Sequence, residues 1–115
     1  MNFKNRRSTK KQEHGQLVKQ VRQVLELAGW RTVGIRAGAF SERGIWDIYA
    51  DKKFTDYQFM GTKALWVEVK TGKDKLSPEQ IKFGSDRNAS GVMTCIVYRL
   101  EDLEGMGILS KRVKL

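Results

Sequence analysis

Asp47, Glu68 and Lys70 are the residues of this chain whose types and spacing could do chemistry. They stand in Gly44-Ile-Trp-Asp-Ile-Tyr-Ala50 and, 21 positions later, in Leu65-Trp-Val-Glu-Val-Lys70. Both stretches are rich in β-branched and aromatic residues bounded by glycine or polar turn residues, so both read as strands. Alternation in the second puts Trp66, Glu68 and Lys70 on one face and Leu65, Val67 and Val69 on the other. If the two strands lie side by side, Asp47 joins Glu68 and Lys70 at one edge of a small sheet. Two carboxylates with an ammonium beside them can hold a hard divalent cation on oxygen ligands. The same trio could equally be a cross-strand salt bridge on an exposed face, and spacing alone does not separate the two.

The elements that must position the trio are legible as patterns. From about Glu13 the apolar residues Leu17, Val21, Val24, Leu25 and Ala28 repeat at helical spacing, and Gly29 closes the helix. A rotation of about 100° per residue puts Glu13 in angular line with Leu17, Val21, Val24 and Ala28. Glu13 then either favours the positive pole of a frayed helix end or reaches the acidic cluster. A first strand is expected over Trp30–Arg36, a loop over Ala37–Arg43, and a second strand over Ile45–Ala50. The connection Asp51–Thr62 carries Phe54, Tyr57, Phe59 and Met60. It could extend a hairpin, cover the core or form an interface. A third strand is expected over Lys63–Lys70. Ser77-Pro-Glu-Gln80 marks a helix start, with Ser77 as N-cap, Pro78 at the first position and Gln80 completing a capping box. That helix, with Gly84 inside it, runs to about Ala89. A nearly all-apolar central strand is expected over Val92–Tyr98, then a turn or short helix, and an edge strand or basic tail over 108–115. Short connections imply antiparallel pairing of the first three strands. The helical crossover implies a parallel third–fourth pair. The expected class is α/β, a small mixed β-sheet flanked by helices.

At 115 residues the chain suits one domain with a modest core, read as 13–107 between a basic arm (1–12) and the segment 108–115. No run of 18 apolar residues suggests a membrane span, and the N-terminus lacks the apolar stretch of a secretory signal. One cysteine, Cys95, excludes an internal disulfide and reads as a buried small hydrophobe in a reducing cytoplasm. The formal net charge of +9 is concentrated at the ends. Residues 1–11 hold five basic residues and no acid, 111–115 hold three more, and 12–110 hold the remaining 14 against all 13 acids. Basic arms on a near-neutral body suit a polyanion, most simply nucleic acid, or serve as solubilising tails. Candidate phosphate contacts are Arg6, Arg7, Lys10 and Lys11 in the arm, Arg36, Ser41 and Arg43 around the first loop, and Lys73 and Lys75 after the third strand.

Gly44-Ile-Trp-Asp47 followed by Glu68-Val-Lys70 resembles the core of the PD-(D/E)xK nuclease superfamily. Leu76-Ser-Pro-Glu-Gln80, with Phe83, Gly91 and a glutamate opening the first helix, narrows the resemblance to the VRR-NUC family, particularly its small stand-alone phage members. It covers about residues 13–103. The resemblance implies a restriction-endonuclease-like core (αβββαβ) and metal-dependent hydrolysis of DNA phosphodiesters, with branched or Holliday-junction-like substrates and a homodimer that makes two cuts. It implies that Asp47, Glu68 and the Val69 carbonyl ligate Mg2+ or Mn2+, with Glu13 completing the acidic set. Lys70 would orient or activate the attacking water, and Gln80 would support the lysine or the water. Trp46 departs from the pattern, standing where proline is expected. No small-molecule cofactor is implied. Neighbouring carboxylates favour a charged Lys70, hence a positioning and charge-stabilising group rather than a bare base. Two other readings fit the same residues. One is a non-catalytic nucleic-acid-binding module; the other is an accessory subunit that docks through the aromatics of 54–60.

Overall fold

The computed structural model describes residues 9–36, 42–55, 60–110, 113 and 115. Helix α1 (Lys10–Leu27) comes first, then strands β1 (Arg31–Gly34), β2 (Ile48–Thr55) and β3 (Met60–Val69), helix α2 (Pro78–Ala89) and strand β4 (Met93–Val97). The four strands form one mixed sheet in the order β1-β2-β3-β4. β1–β2 and β2–β3 are antiparallel; β3–β4, joined through α2, is parallel. The chain is therefore a small mixed α/β domain with two helices. Among the described residues no helix is long and apolar enough to cross a membrane.

Period-two alternation divides the sheet between the helices. Ile48, Ala50, Leu65, Val67, Val69 and Val97 point to one face, where Val21 and Leu25 of α1 are completely buried against them. Burying each such valine or leucine stabilises the fold by about 1.5–3 kcal/mol. The opposite face carries Trp66 and Glu68. There Trp66 meets Phe83 of α2 edge-on at 5.0 Å and Tyr49 of β2 at 5.1 Å.

Several boundaries differ from the sequence expectation. Thr9 caps α1: its hydroxyl accepts from the Gln12 amide and the Gln12 side chain accepts from the Thr9 amide. The helix thus starts at Lys10 and takes Lys10 and Lys11 out of the presumed arm. The second strand begins at Ile48, after a bend at Asp47, and runs on to Thr55. Pairing with β3 continues to Thr55–Met60, so the aromatic connection extends the hairpin. Phe54 packs edge-on against Trp30 at 6.1 Å, Met60 is exposed, and Tyr57 and Phe59 lie outside the described residues. Finally, Ile108 is not in an edge strand. It is buried in the core and its carbonyl accepts from the Trp30 indole at 2.6 Å, with Leu109 and Val113 packed alongside. A 3-10 helix over Leu100–Leu103, with Leu103 buried, precedes this segment.

Candidate functional site

Glu68 is the one buried charged side chain among the described residues. Three groups surround it, each fixed by its own element. Lys70 follows the last residue of β3, and its amide still donates to Val97 of β4 at 2.9 Å, which fixes the backbone under its side chain. Its Nζ lies 3.3 Å from Glu68 Oε2 and donates to Gln80 Oε1 at 2.9 Å. Gln80 donates through Nε2 to Glu68 Oε2 at 2.6 Å. Its Oε1 also accepts from the Ser77 amide at 2.9 Å, while the Gln80 amide donates to Ser77 Oγ at 3.1 Å. The capping box and the contact with the lysine, which the sequence offered as alternatives, are made by one side chain at once.

Asp47 approaches from the other strand. Continuing the Ile48–Val67 register by one step brings it level with Glu68. Its carbonyl accepts from the Ile35 amide at 2.8 Å, and its Oδ2 accepts from the Val69 amide at 2.9 Å. Burial first, then the charge of Asp47 and hydrogen bonding to it, push the Glu68 carboxyl up to about 8 against the opposing pull of Lys70. Among the described residues, Glu68 Oε1 is buried without a hydrogen-bond partner. With both carboxylates ionised there is no donor between them. A proton on Glu68 supplies one, and so would a cation.

The helix residue that reaches this cluster is His14. Its Nε2 lies 3.2 Å from Asp47 Oδ2 and 3.1 Å from the Val69 carbonyl oxygen. Glu13, the residue expected there, is exposed. The helical wheel carries the reason. At 100° per residue, His14 falls between the directions of Val21 and Leu25, the two fully buried residues of α1. Glu13 falls about 100° to one side. Weighting the stripe towards Leu25 would have selected the histidine.

A second set of contacts clamps α2 against the site. Gly44 has φ +75°, a left-handed conformation, and a Cβ there would come within 2.3 Å of the Glu79 carbonyl. Trp46 is buried and donates through Nε1 to the Gln80 carbonyl at 2.9 Å. Gly84 lies directly under the Trp46 ring, where a Cβ would meet Cζ2 at 2.3 Å. Trp46 thus fixes the first turn of the helix carrying Gln80.

Among the described residues, no three His, Cys, Asp or Glu side chains form a group able to hold a metal ion. The oxygen donors that do converge are two carboxylates and a main-chain carbonyl. Hard oxygen donors of this kind suit Mg2+ or Mn2+. The unpartnered Glu68 oxygen supplies the acceptor such an ion would use, so the residues fit the group.

The candidate phosphate contacts divide in two. Arg6, Arg7 and Ser41 lie outside the described residues. Lys10, Lys11, Arg36, Arg43, Lys73 and Lys75 are exposed. Of these, Lys73 and Lys75 follow Lys70 in the chain and Arg43 precedes Asp47. Lys10 pairs with Asp74 at 3.6 Å, which ties the start of α1 to the loop after β3.

Compared with family models, with curated proteins and with solved structures, the chain matches none.

Proposed function

We propose that this chain is a metal-dependent DNA endonuclease of the PD-(D/E)xK type, similar to VRR-NUC enzymes, that hydrolyses phosphodiesters in branched DNA. The observation that carries the proposal is the buried Glu68 between Asp47, Lys70 and Gln80, with one oxygen left without a partner among the described residues. A salt bridge on an exposed face would not be buried and would not need a glutamine tying both of its members. The element order, α1, three antiparallel strands, then a helical crossover to a parallel strand, supports the reading, since the resemblance implies that order.

Asp47, Glu68 and the Val69 carbonyl would hold Mg2+ or Mn2+. When bound, the cation supplies charge neutralisation at the phosphate and a more acidic water. The chain's own residues do the rest. Gln80 donates to Glu68 and accepts from Lys70, which keeps carboxylate and ammonium side by side yet separately oriented. Lys70 brings positive charge to the phosphate oxygens as negative charge develops there. Lys73, Lys75 and Arg43 extend that field along the backbone on either side. A homodimer would give the two cuts that symmetrical junction cleavage requires.

The test is a panel of labelled DNAs (duplex, single strand, flap, splayed arm and four-way junction) with Mg2+, Mn2+ or EDTA, beside Asp47→Asn and Lys70→Ala. Metal-dependent cleavage lost in both variants is expected, with paired symmetrical cuts in the junction. No cleavage of any substrate, with salt-sensitive binding unchanged in both variants, would refute catalysis and leave a binding module.

A further inference from the structure

We infer that His14 is a ligand of the divalent cation, acting through Nε2 together with Asp47 and the Val69 carbonyl, and that it biases the site towards Mn2+ over Mg2+. The inference rests on the metal-dependent reading above and deepens it.

Three donor atoms carry it. His14 Nε2 is 3.2 Å from Asp47 Oδ2 and 3.1 Å from the Val69 oxygen, so one nitrogen stands nearly equidistant from two of the oxygens named as ligands. In an octahedral ion with bonds of about 2.1 Å, adjacent ligands lie about 3.0 Å apart, the bond length times √2. Both spacings are those of neighbouring positions on one coordination sphere. Without metal, the same distances are bridged by the imidazole N–H.

The surroundings agree with a ligand rather than a packing histidine. The His14 and Asp47 side chains keep 37% and 23% of their surface exposed, which leaves room for the waters that complete such a sphere. His14 sits on the first turns of a capped helix whose lower turns are anchored by Val21 and Leu25, so its position is set by the core. Two side chains and one main-chain oxygen make up the set, with Glu68 adjoining Asp47.

The chemical consequence is selectivity. Mg2+ is satisfied by carboxylate, carbonyl and water. An imidazole nitrogen adds little for it and more for a transition ion. A site with one nitrogen among oxygens should therefore discriminate more strongly for Mn2+ over Mg2+ than the all-oxygen site that Glu13 would have built.

The experiment is Mn2+ binding to the full chain, followed by EPR, with Mg2+ as competitor, for wild type, His14→Ala, His14→Gln and Asp47→Asn. Pulsed EPR of the wild-type Mn2+ complex reads directly coordinated 14N and needs no variant. The expected result is a 14N coupling in wild type that is absent in both His14 variants. Mn2+ affinity should also fall about 10–100-fold in both, the scale seen when groups supporting a metal centre are removed. Mg2+ affinity should fall less. Mn2+ bound in an Asp47-dependent way without 14N coupling, and with equal affinity in the His14 variants, would overturn the inference and leave the nuclease proposal standing. No Asp47-dependent binding of either ion would overturn both.

Discussion

Gly84→Ala puts two measured tendencies against each other. In a helix interior alanine is favoured over glycine by about 1 kcal/mol, so a reading of α2 as an isolated helix predicts stabilisation. The structure predicts the reverse. The added Cβ would lie 2.3 Å from Trp46 Cζ2 and 2.8 Å from Cη2. The ring has nowhere to go: Trp46 is 3% exposed and its Nε1 is held by the Gln80 carbonyl. Overpacking of this kind costs about 1–3 kcal/mol, and contact with a rigid ring places it in the upper half. Subtracting the helix gain leaves a net loss of about 1–2 kcal/mol. For a domain of this size that lowers Tm by roughly 4–8 °C. Gly15→Ala is the control. Gly15 lies in α1 with nothing within 4 Å of its Cβ position, so only the propensity acts and stability should rise by up to about 1 kcal/mol. Urea unfolding followed by circular dichroism measures both. If Gly84→Ala is as stable as wild type, the Trp46 clamp is not holding α2 and the reasoning fails.

The remaining expectations concern the site and the thiol. Gln80→Leu removes a cap acceptor and both contacts to the Glu68–Lys70 pair, and should cost about 2–3 kcal/mol together with most cleavage. Ser77→Ala should cost about 1 kcal/mol and spare cleavage, so equal losses of activity in the two variants would argue against a role for Gln80 beyond capping. In EDTA, the Glu68 carboxyl, at about 8 when folded against an ordinary value of 4.5, holds a proton that the unfolded chain has released. Its contribution to stability is therefore full below about 4.5 and falls as pH rises towards about 8, by up to about 1.4 kcal/mol per pH unit. Glu68→Gln should flatten that slope in denaturant midpoints taken across the window; an unchanged slope assigns it elsewhere. Burial, with a smaller contribution from Asp102, pushes the Cys95 thiol up to about 11, so at pH 8 a thiol reagent should modify folded protein far more slowly than the urea-unfolded chain; equal rates would refute this.

Much of the architecture is written in alternation and capping. Leu65, Val67 and Val69 had to face the core, which sends Glu68 to the other side, and Ser77-Pro-Glu-Gln80 had to begin a helix. These are local patterns, so they are legible locally. What escaped depends on contacts between distant residues. Whether Glu13 or His14 points inward depends on a rotation of one residue, fixed by which of Val24 and Leu25 is buried deeper. Gly84 reads as a weakness until Trp46 lies across it. The polar residues of 51–55 hide a strand because pairing with β3, rather than apolar alternation, holds them there. Ile108 joins the core through a hydrogen bond from Trp30, 78 positions away.

Gln80 has a further consequence for motion. Its side-chain oxygen closes the first turn of α2 and holds Lys70, while its amide nitrogen holds Glu68. Helix ends are where chains fray. Here one side chain holds the cap, the lysine and the buried carboxylate, so fraying that carries Gln80 away would release all three. The Glu68–Lys70–Gln80 cluster and the intact helix end are then coupled. Anything that stiffens the helix start pre-organises the site, and any ligand that engages Glu68 and Lys70 slows amide exchange at Ser77 and Gln80. Loss of that one helical turn would dismantle the cluster.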